Sequence, residues 1–296
     1  MSRRAVLIYN PKSGRHVATR VLPAVVESLT SSGFDVEPQA TQSAGDATRL
    51  AREAVAAASI EVAFAMGGDG TLREVARGLL GSDLSMGLLP AGTTNVLALS
   101  LGLPRTPLEA AKALPQCIDR EIDVGLVGDE PFLMLVSAGL DAAVMARQNH
   151  AAKKRFGKAA VAWTGIHQWA AYDYSSIELR FDGRTDHVSH FAACNIPHYA
   201  GPFRMAPSAD LADGLLDLVL FHGSGRFATL AFARDLALGR HLRRADVETR
   251  RIERLKIVAP EPCLLQIDGD VIQVEAPVEI RLAANRLKVL APPNGE

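Results

Sequence analysis

The chain has 296 residues, enough to bury a sizeable core and to form two domains. Hydrophobic residues make up 48% and charged residues 22%, an ordinary globular balance, and a formal net charge of −1 offers no basic field for nucleic acid. Cys117, Cys194 and Cys263 stand far apart, which argues against a disulfide framework or a metal knuckle, and no apolar run approaches the roughly 20 residues that span a bilayer.

The expectation is therefore a cytoplasmic protein with reduced thiols that meets a membrane only from its inner face. In chain order, Arg3 and Arg4 precede the apolar run Ala5-Val6-Leu7-Ile8-Tyr9, which is too short for a signal segment and stops at Asn10-Pro11. It reads as a first strand. A helix follows over 17–29, with Val21, Val25 and Leu29 on one side. A strand is expected over 34–38, a helix over 46–58, a strand over 61–66, a helix over 72–80 and a strand over 85–89. A short helix starts at Thr94, and another at Thr106-Pro107, with Thr as N-cap and Pro at the first helical position.

This alternation predicts an α/β domain, a parallel sheet covered by helices. Ligands of such sheets sit at the carboxyl ends of the strands. Three loops fall there: 10–14, 67–71 and 90–95. After Ile122 the pattern changes to short strand-like runs joined by turns, such as Gly128-Asp129 and Asp182-Gly183. These predict a C-terminal antiparallel β-sandwich, with helices over 151–172 and 226–238 interrupting it. The domains are set at 1–122 and 123–296, with the last segment free to return to the first domain.

Gly67-Gly68-Asp69-Gly70-Thr71, between a strand and a helix, carries the clearest chemistry. Glycines let backbone N–H groups approach an anion, and the helix start adds unpaired N–H groups and a positive dipole end. Asp69 would repel phosphate unless Mg²⁺ sits between them. The local reading is a nucleotide-phosphate site with a metal. Neither GxxxxGK[ST] nor GxGxxG occurs, so P-loop and Rossmann mechanisms are not supported.

Further motifs stand in order: Asn10-Pro11-Lys12-Ser13-Gly14, Pro90-Ala91-Gly92-Thr93-Thr94-Asn95, Asn195-Ile196-Pro197, Asp210-Leu211-Ala212-Asp213-Gly214-Leu215 and Asp268-Gly269-Asp270. Together, and over nearly the whole chain, they resemble the diacylglycerol kinase catalytic-domain family, the lipid kinases related to sphingosine and ceramide kinases. The resemblance implies that Asn10, Pro11, Lys12, Ser13 and Gly14 cradle nucleotide phosphates and that Thr41 lines the nucleotide pocket. It assigns Gly67, Gly68, Asp69, Gly70, Thr71, Leu72, Arg73 and Glu74 to the central ATP-binding loop and Thr93 to a further nucleotide contact. It also implies Mg²⁺ held by Asp210, Asp213 and Leu215, with Asp123 linked to it through hydrogen bonds.

The family usually ends its last motif in glutamate, the base that takes the proton from the lipid hydroxyl; Asp270 stands there instead, one methylene shorter but of similar intrinsic acidity. The implied activity is transfer of the γ-phosphoryl group of ATP to a lipid bearing a free hydroxyl, in lipid metabolism or phospholipid biosynthesis, with Asp69 and Asp270 catalytic. The lipid hydroxyl is expected in a cleft between the two domains.

The alternative is a regulatory protein that binds lipid or nucleotide without catalysis. NAD kinase is a lesser one, since no Asn-Glu pair follows in the second domain. Diacylglycerol leads the acceptor lipids without excluding sphingoid bases, ceramide or phosphatidylglycerol, and a homodimer stays open. Two basic stretches are candidates for peripheral membrane contact: Lys153, Lys154, Arg155 and Lys158 beside Trp163 and Trp169, and the arginines from Arg240 to Arg254.

Overall fold

The computed structural model describes residues 2–14, 16–147, 169, 172, 174 and 176–293. The chain divides into two compact units, Met1–Val124 with Ala283–Glu296, and Gly125–Leu282.

In the first unit, β1 (Arg3–Tyr9), α1 (Val17–Ser31), β2 (Phe34–Ala40), α2 (Asp46–Ala56), β3 (Val62–Gly67), α3 (Asp69–Leu79) and β4 (Ser85–Pro90) alternate as expected. Helices α4 (Val96–Ser100) and α5 (Pro107–Ala113) follow, then β5 (Ile118–Ile122). Thr106 precedes α5 with Pro107 at its start, but its side chain makes no capping hydrogen bond. The sheet order is β2-β1-β3-β4, continued by the last strand of the chain, β20 (Leu287–Ala291), and then β5. All pairs are parallel except β20 with β5, so the sheet is mixed rather than purely parallel. Strands β3 and β4 are buried along their whole length, which is why they read as unbroken apolar runs. The strand order reverses between β1 and β3, and such a switch point opens a ligand crevice at the carboxyl ends.

The second unit holds β6 (Gly125–Val127), β7 (Glu130–Phe132), β8 (Leu135–Ala138), α6 (Leu140–Ala146), β9 (Ile177–Phe181), β10 (Arg184–Val188), β11 (His190–Cys194), β12 (His198–Ala200), β13 (Phe203–Arg204), β14 (Leu216–Phe221), α7 (Gly225–Ala237), β15 (Val247–Ile252), β16 (Arg254–Ala259), β17 (Cys263–Ile267), β18 (Asp270–Val274) and β19 (Val278–Leu282). Two six-stranded sheets form, in the orders β10-β9-β16-β19-β6-β7 and β15-β14-β11-β8-β17-β18, and every pairing in them is antiparallel. One core cluster draws side chains from both sheets, including Leu179, Ile257 and Ile280 of the first and Val136, Phe191, Leu218 and Leu265 of the second. This is a face-to-face sandwich.

The second sheet is buried on its other face as well. Leu135, Ala192, Val219 and Phe221 pack there against Met205, Ala206 and Phe232 of α7. Hence β8, β11 and β14 show no alternation of burial. Strands β10 and β11 are separated at Ser189, whose hydroxyl donates to the Phe221 and Gly223 carbonyls. The helix expected over 151–172, with Lys153, Lys154, Arg155, Lys158 and Trp163, lies outside the described residues except at Trp169 and Tyr172. Cys194 and Cys263 are buried, and burial raises both thiols, Cys263 to about 11. No helix among the described residues is long and apolar enough to cross a membrane.

Candidate functional site

The three loops at the strand ends of the first unit touch one another. A Cβ on Gly14 would lie 2.3 Å from the Ala91 carbonyl oxygen, and one on Gly92 would lie 2.7 Å from the Gly68 Cα. Only glycine permits this spacing, and Gly14 also has φ +56. The Asn10 amide donates to Thr71 Oγ1 at 3.4 Å, and its carbonyl accepts the Lys12 N–H at 2.9 Å. A cavity of about 420 Å³ opens over this junction. Asn10, Lys12, Ser13 and Thr41 line it from the loops after β1 and β2. Gly68, Gly70, Thr71 and Glu74 line it from the start of α3. Gly68 and Gly70 put bare backbone in the wall, and the helix start supplies anion-binding polarity, so the cavity fits a nucleotide phosphate chain.

Sequence reading missed part of the wall. Gln42, Ser43, Ala44 and Ala47 also line the cavity. The Gln42 and Ser43 N–H groups are held by Asp46 Oδ2, at 2.8 and 2.9 Å, and these bonds keep the Asp46 carboxyl below its ordinary value. The signal lay in the small polar run before Asp46, which resembles an ordinary turn.

Other assigned residues lie outside the lining of this cavity. Leu72 is fully buried, so its side chain is core rather than nucleotide contact. The hydrophobic spacing of α3 requires this, because Leu72, Val75, Ala76 and Leu79 form its inner face. Pro11, Gly14, Gly67, Arg73 and Thr93 are not among the lining residues either. Pro11 instead offers its carbonyl to Thr19 Oγ1 at 3.1 Å. Asp69 also stands outside the lining. Its carboxylate accepts Thr94 Oγ1 at 3.1 Å and the N–H groups of Val96 and Leu97 at 3.3 and 3.5 Å. It therefore holds the start of α4 and the loop carrying Thr93. Glu74 is the carboxylate that faces the cavity, where it also accepts the Gly45 N–H at 3.1 Å. Asp123, 5% exposed, pairs with Arg286 at 2.8 Å.

In the second unit, Asp268 and Gly269 form the turn of the β17–β18 hairpin, both with positive φ, and Ile267 pairs with Asp270 across it. Asp270 is exposed beside the turn. Asp268 has a different task. It is 8% exposed, and its carboxylate accepts the N–H groups of Leu133, Met134 and Leu135 at 2.7, 2.9 and 3.1 Å. Asn195 grips the same segment, donating its amide to the Leu133 carbonyl at 3.0 Å. Two of the motifs are thus clamps on one backbone segment.

The loop 210–215 is closed by its own bonds: Asp210 accepts the Ala212 N–H and Asp213 the Leu215 N–H, each at 3.0 Å. The cation at Asp213 is the Arg251 guanidinium. A metal there would compete with Arg251 for Asp213. Asp186, His222 and Glu248 do bring three ligand atoms within 4.8 Å, but Arg184 pairs with both carboxylates and Arg250 also pairs with Glu248, so two guanidinium groups already face the two carboxylates.

A second cavity, of about 300 Å³, lies between the outer face of the second sheet, α6 and α7. Leu140, Val144, Phe221, Phe232 and Leu236 make most of its wall apolar. Asp141, His190 and Tyr199 form a polar cluster in it, and Tyr174, Ser189 and Thr229 also reach its wall. Asp141 accepts Ser137 Oγ, Tyr199 OH at 3.1 Å and its neighbour Ala142 N–H at 2.7 Å, and lies 3.4 Å from His190 Nδ1. Burial pushes its carboxyl upward, but the His190 charge and these hydrogen bonds outweigh that and hold it below the ordinary value. Burial, then Asp141, pushes the Tyr199 hydroxyl well above its own. Neither Asp141 nor His190 was singled out from the sequence.

Comparison with known proteins agrees with this architecture. Residues 4–127 match the diacylglycerol kinase catalytic domain, and residues 134–291 match the YegS C-terminal NAD kinase beta sandwich-like domain. A diacylglycerol kinase of Bacillus subtilis is 29% identical over 273 residues, 90% of each chain. A protein of Pseudomonas fluorescens named probable lipid kinase YegS-like is 37% identical over 220 residues, 73% of this chain and 72% of that one. A crystal structure from Bacillus anthracis str. Sterne shares the fold with a TM-score of 0.82 at 23% identity, covering 98% of this chain and 96% of that one. The chain belongs to the lipid kinase family in which a diacylglycerol kinase catalytic domain is followed by a YegS-type beta sandwich-like domain.

Proposed function

We propose that this protein transfers the γ-phosphoryl group of ATP to the hydroxyl of a lipid, with diacylglycerol the leading acceptor. The observation that carries the reading is the 420 Å³ cavity of the first unit, which Asn10, Lys12 and Ser13 line from the loop after β1 and Gly68, Gly70 and Thr71 from the start of α3. Backbone N–H groups there would bind the phosphate chain, and Lys12 would add a positive charge. Mg²⁺ bound with the nucleotide would supply charge neutralisation, with Glu74 the nearest carboxylate and Asp69 fixing the neighbouring loop. Phosphoryl transfer depends mainly on such positioning and neutralisation.

Asp270 is the proposed base. Its place beside a tight turn keeps the carboxylate accessible to the hydroxyl proton, directly or through a water. The apolar cavity of the second unit suits the acyl chains. A metal at Asp210, Asp213 and the Leu215 carbonyl would have to displace Arg251 from Asp213, so no step is assigned to it.

Contact with an anionic membrane face fits α7. Phe227 and Leu230 are 78% and 53% exposed there, and Arg226 and Arg234 stand on the same helix, with Arg240 and Arg243 just beyond it. Sedimentation with vesicles containing phosphatidylglycerol tests this. Phe227→Ser with Leu230→Ser should weaken binding, and unchanged sedimentation would remove α7 from the contact.

Labelled-phosphate transfer from ATP to a lipid panel, with the product identified by mass, tests the activity itself. ATP binding without transfer to any lipid would favour the regulatory reading.

A further inference from the structure

Strand β14 enters the second sheet from the loop over 205–215, and its Asp217 stands directly opposite Arg251 of β15. The strand register therefore delivers a guanidinium to the end of that loop. Arg251 Nη2 pairs with Asp213 Oδ2, and its Nε lies 3.9 Å from Asp217 Oδ2. One planar cation thus faces two carboxylates. The guanidinium fork suits that task and stays charged at any pH the fold survives.

Asp217 is the residue that needs the cation. It is 6% exposed. Its Oδ1 accepts Ser208 Oγ at 2.6 Å, whereas its Oδ2 is buried and accepts no hydrogen bond among the described residues. A buried carboxylate oxygen in that state is costly unless a positive charge stands beside it. The more exposed Asp213 pair would contribute little alone.

The oxygens nearby suit an arginine better than a metal. Asp210 Oδ1 and Asp213 Oδ1 are taken by the N–H groups of Ala212 and Leu215. Asp210, Asp213 and Asp217 do not bring three ligand atoms within 4.8 Å of one another; among the described residues only Asp186, His222 and Glu248 do so. Mg²⁺ asks for a near-octahedral set of oxygens at about 2.0–2.1 Å.

We infer that Arg251 is the built-in cation of this loop and takes the place that the family resemblance gives to Mg²⁺. The same loop begins at Met205, in the wall of the apolar cavity of the second unit. That wall then keeps its form without a divalent ion, and the need for Mg²⁺ rests with the nucleotide alone.

Uptake of Mn²⁺ by the full chain without nucleotide, followed by electron paramagnetic resonance, tests this. The wild type and Asp213→Asn should take up the same amount. Arg251→Gln should take up an extra ion, and adding Asp213→Asn to it should remove that ion. In thermal unfolding without divalent ions, Arg251→Gln should melt about 2–4 °C below the wild type and recover when Mg²⁺ is added. Arg251→Lys, which keeps a cation, should fall less and gain no ion. A wild-type ion that Asp213→Asn removes would overturn the inference, and that comparison needs no Arg251 variant to fold. An Arg251→Gln chain that gains no ion would overturn it too.

A last arm rests on the lipid reading. The wild type should bind a short-chain diacylglycerol equally well by calorimetry in EDTA and in Mg²⁺. Tighter binding in Mg²⁺ that Asp213→Asn abolishes would return the loop to a metal. If no lipid binds while the ion counts hold, the lipid reading fails and Arg251 keeps its place.

Discussion

The two cavities are built from opposite materials. In the first unit the walls are loops and a helix start, and the decisive spacings are between backbone atoms: Gly14 against Ala91, Gly92 against Gly68. In the second unit the walls are side chains from one sheet face and two helices, and the few polar groups are tied to each other. A backbone cradle suits a ligand whose charge pattern does not vary, such as a phosphate chain. A side-chain wall suits a ligand whose shape varies, because substitutions there change the pocket without changing the fold. On the proposed reading, the first cavity speaks for a reaction class and the second for the choice of acceptor.

The largest expected effect is at Asp69. Asp69→Ala should abolish turnover in a steady-state assay, because the start of α4 and the loop of Thr93 and Thr94 lose their anchor. Asp69→Asn sharpens the point. It keeps an acceptor but loses the charge, so retained turnover would reduce Asp69 to loop support and weaken its assignment beside a metal.

Next comes Asp270→Asn, which should slow transfer by about 10²–10⁴-fold while leaving calorimetric ATP binding unchanged. Normal turnover would remove Asp270 from the mechanism and leave proton removal to another group. Asp268→Ala is expected to act on stability rather than chemistry. It strands three buried N–H groups, and urea unfolding should report a loss on the order of 3–5 kcal/mol. A stable but inactive Asp268→Ala would mean that the clamp belongs to the site and not to the scaffold.

The smallest effect is the pH dependence of Asp141. Its carboxyl lies below the ordinary value in the folded protein, so it stabilises the fold at neutral pH, and that contribution disappears as pH falls through its own lowered value. Asp141→Asn should therefore be less stable than the wild type at pH 7, with the gap closing in acid. A gap that widens in acid would reverse the sign assigned to this group.

The parts of the fold that were legible in the sequence are those where burial and pattern coincide. Strands β3 and β4 are buried along their whole length, and β1 over 5–8, because both faces are covered there, and their closing loops mark the ligand end of the sheet. Strand β5 was not legible because Ile118–Ile122 is mostly charged and exposed, as an edge strand can be. Its place depends on pairing with β20 from the far end of the chain, which no local pattern records.

The cradle residues were readable as a group. Which of them face the cavity was not, because orientation follows helix phase: Leu72 turns into the core while Gly70 and Glu74 turn outward. The clamp of Asp268 on residues 133–135 and the pairing of Asp141 with His190 join distant parts of the chain through side chains. Single residues of common types carry no spacing signature for such contacts.

The doubly covered sheet of the second unit has one further consequence. Along β14, Leu216, Leu218 and Leu220 serve the sandwich, while Val219 and Phe221 face α7. Adjacent positions thus answer to different selective demands. Substitution at every second residue can reshape the face under α7 while its neighbours go on holding the sandwich, so a change of surface there need not be a change of architecture.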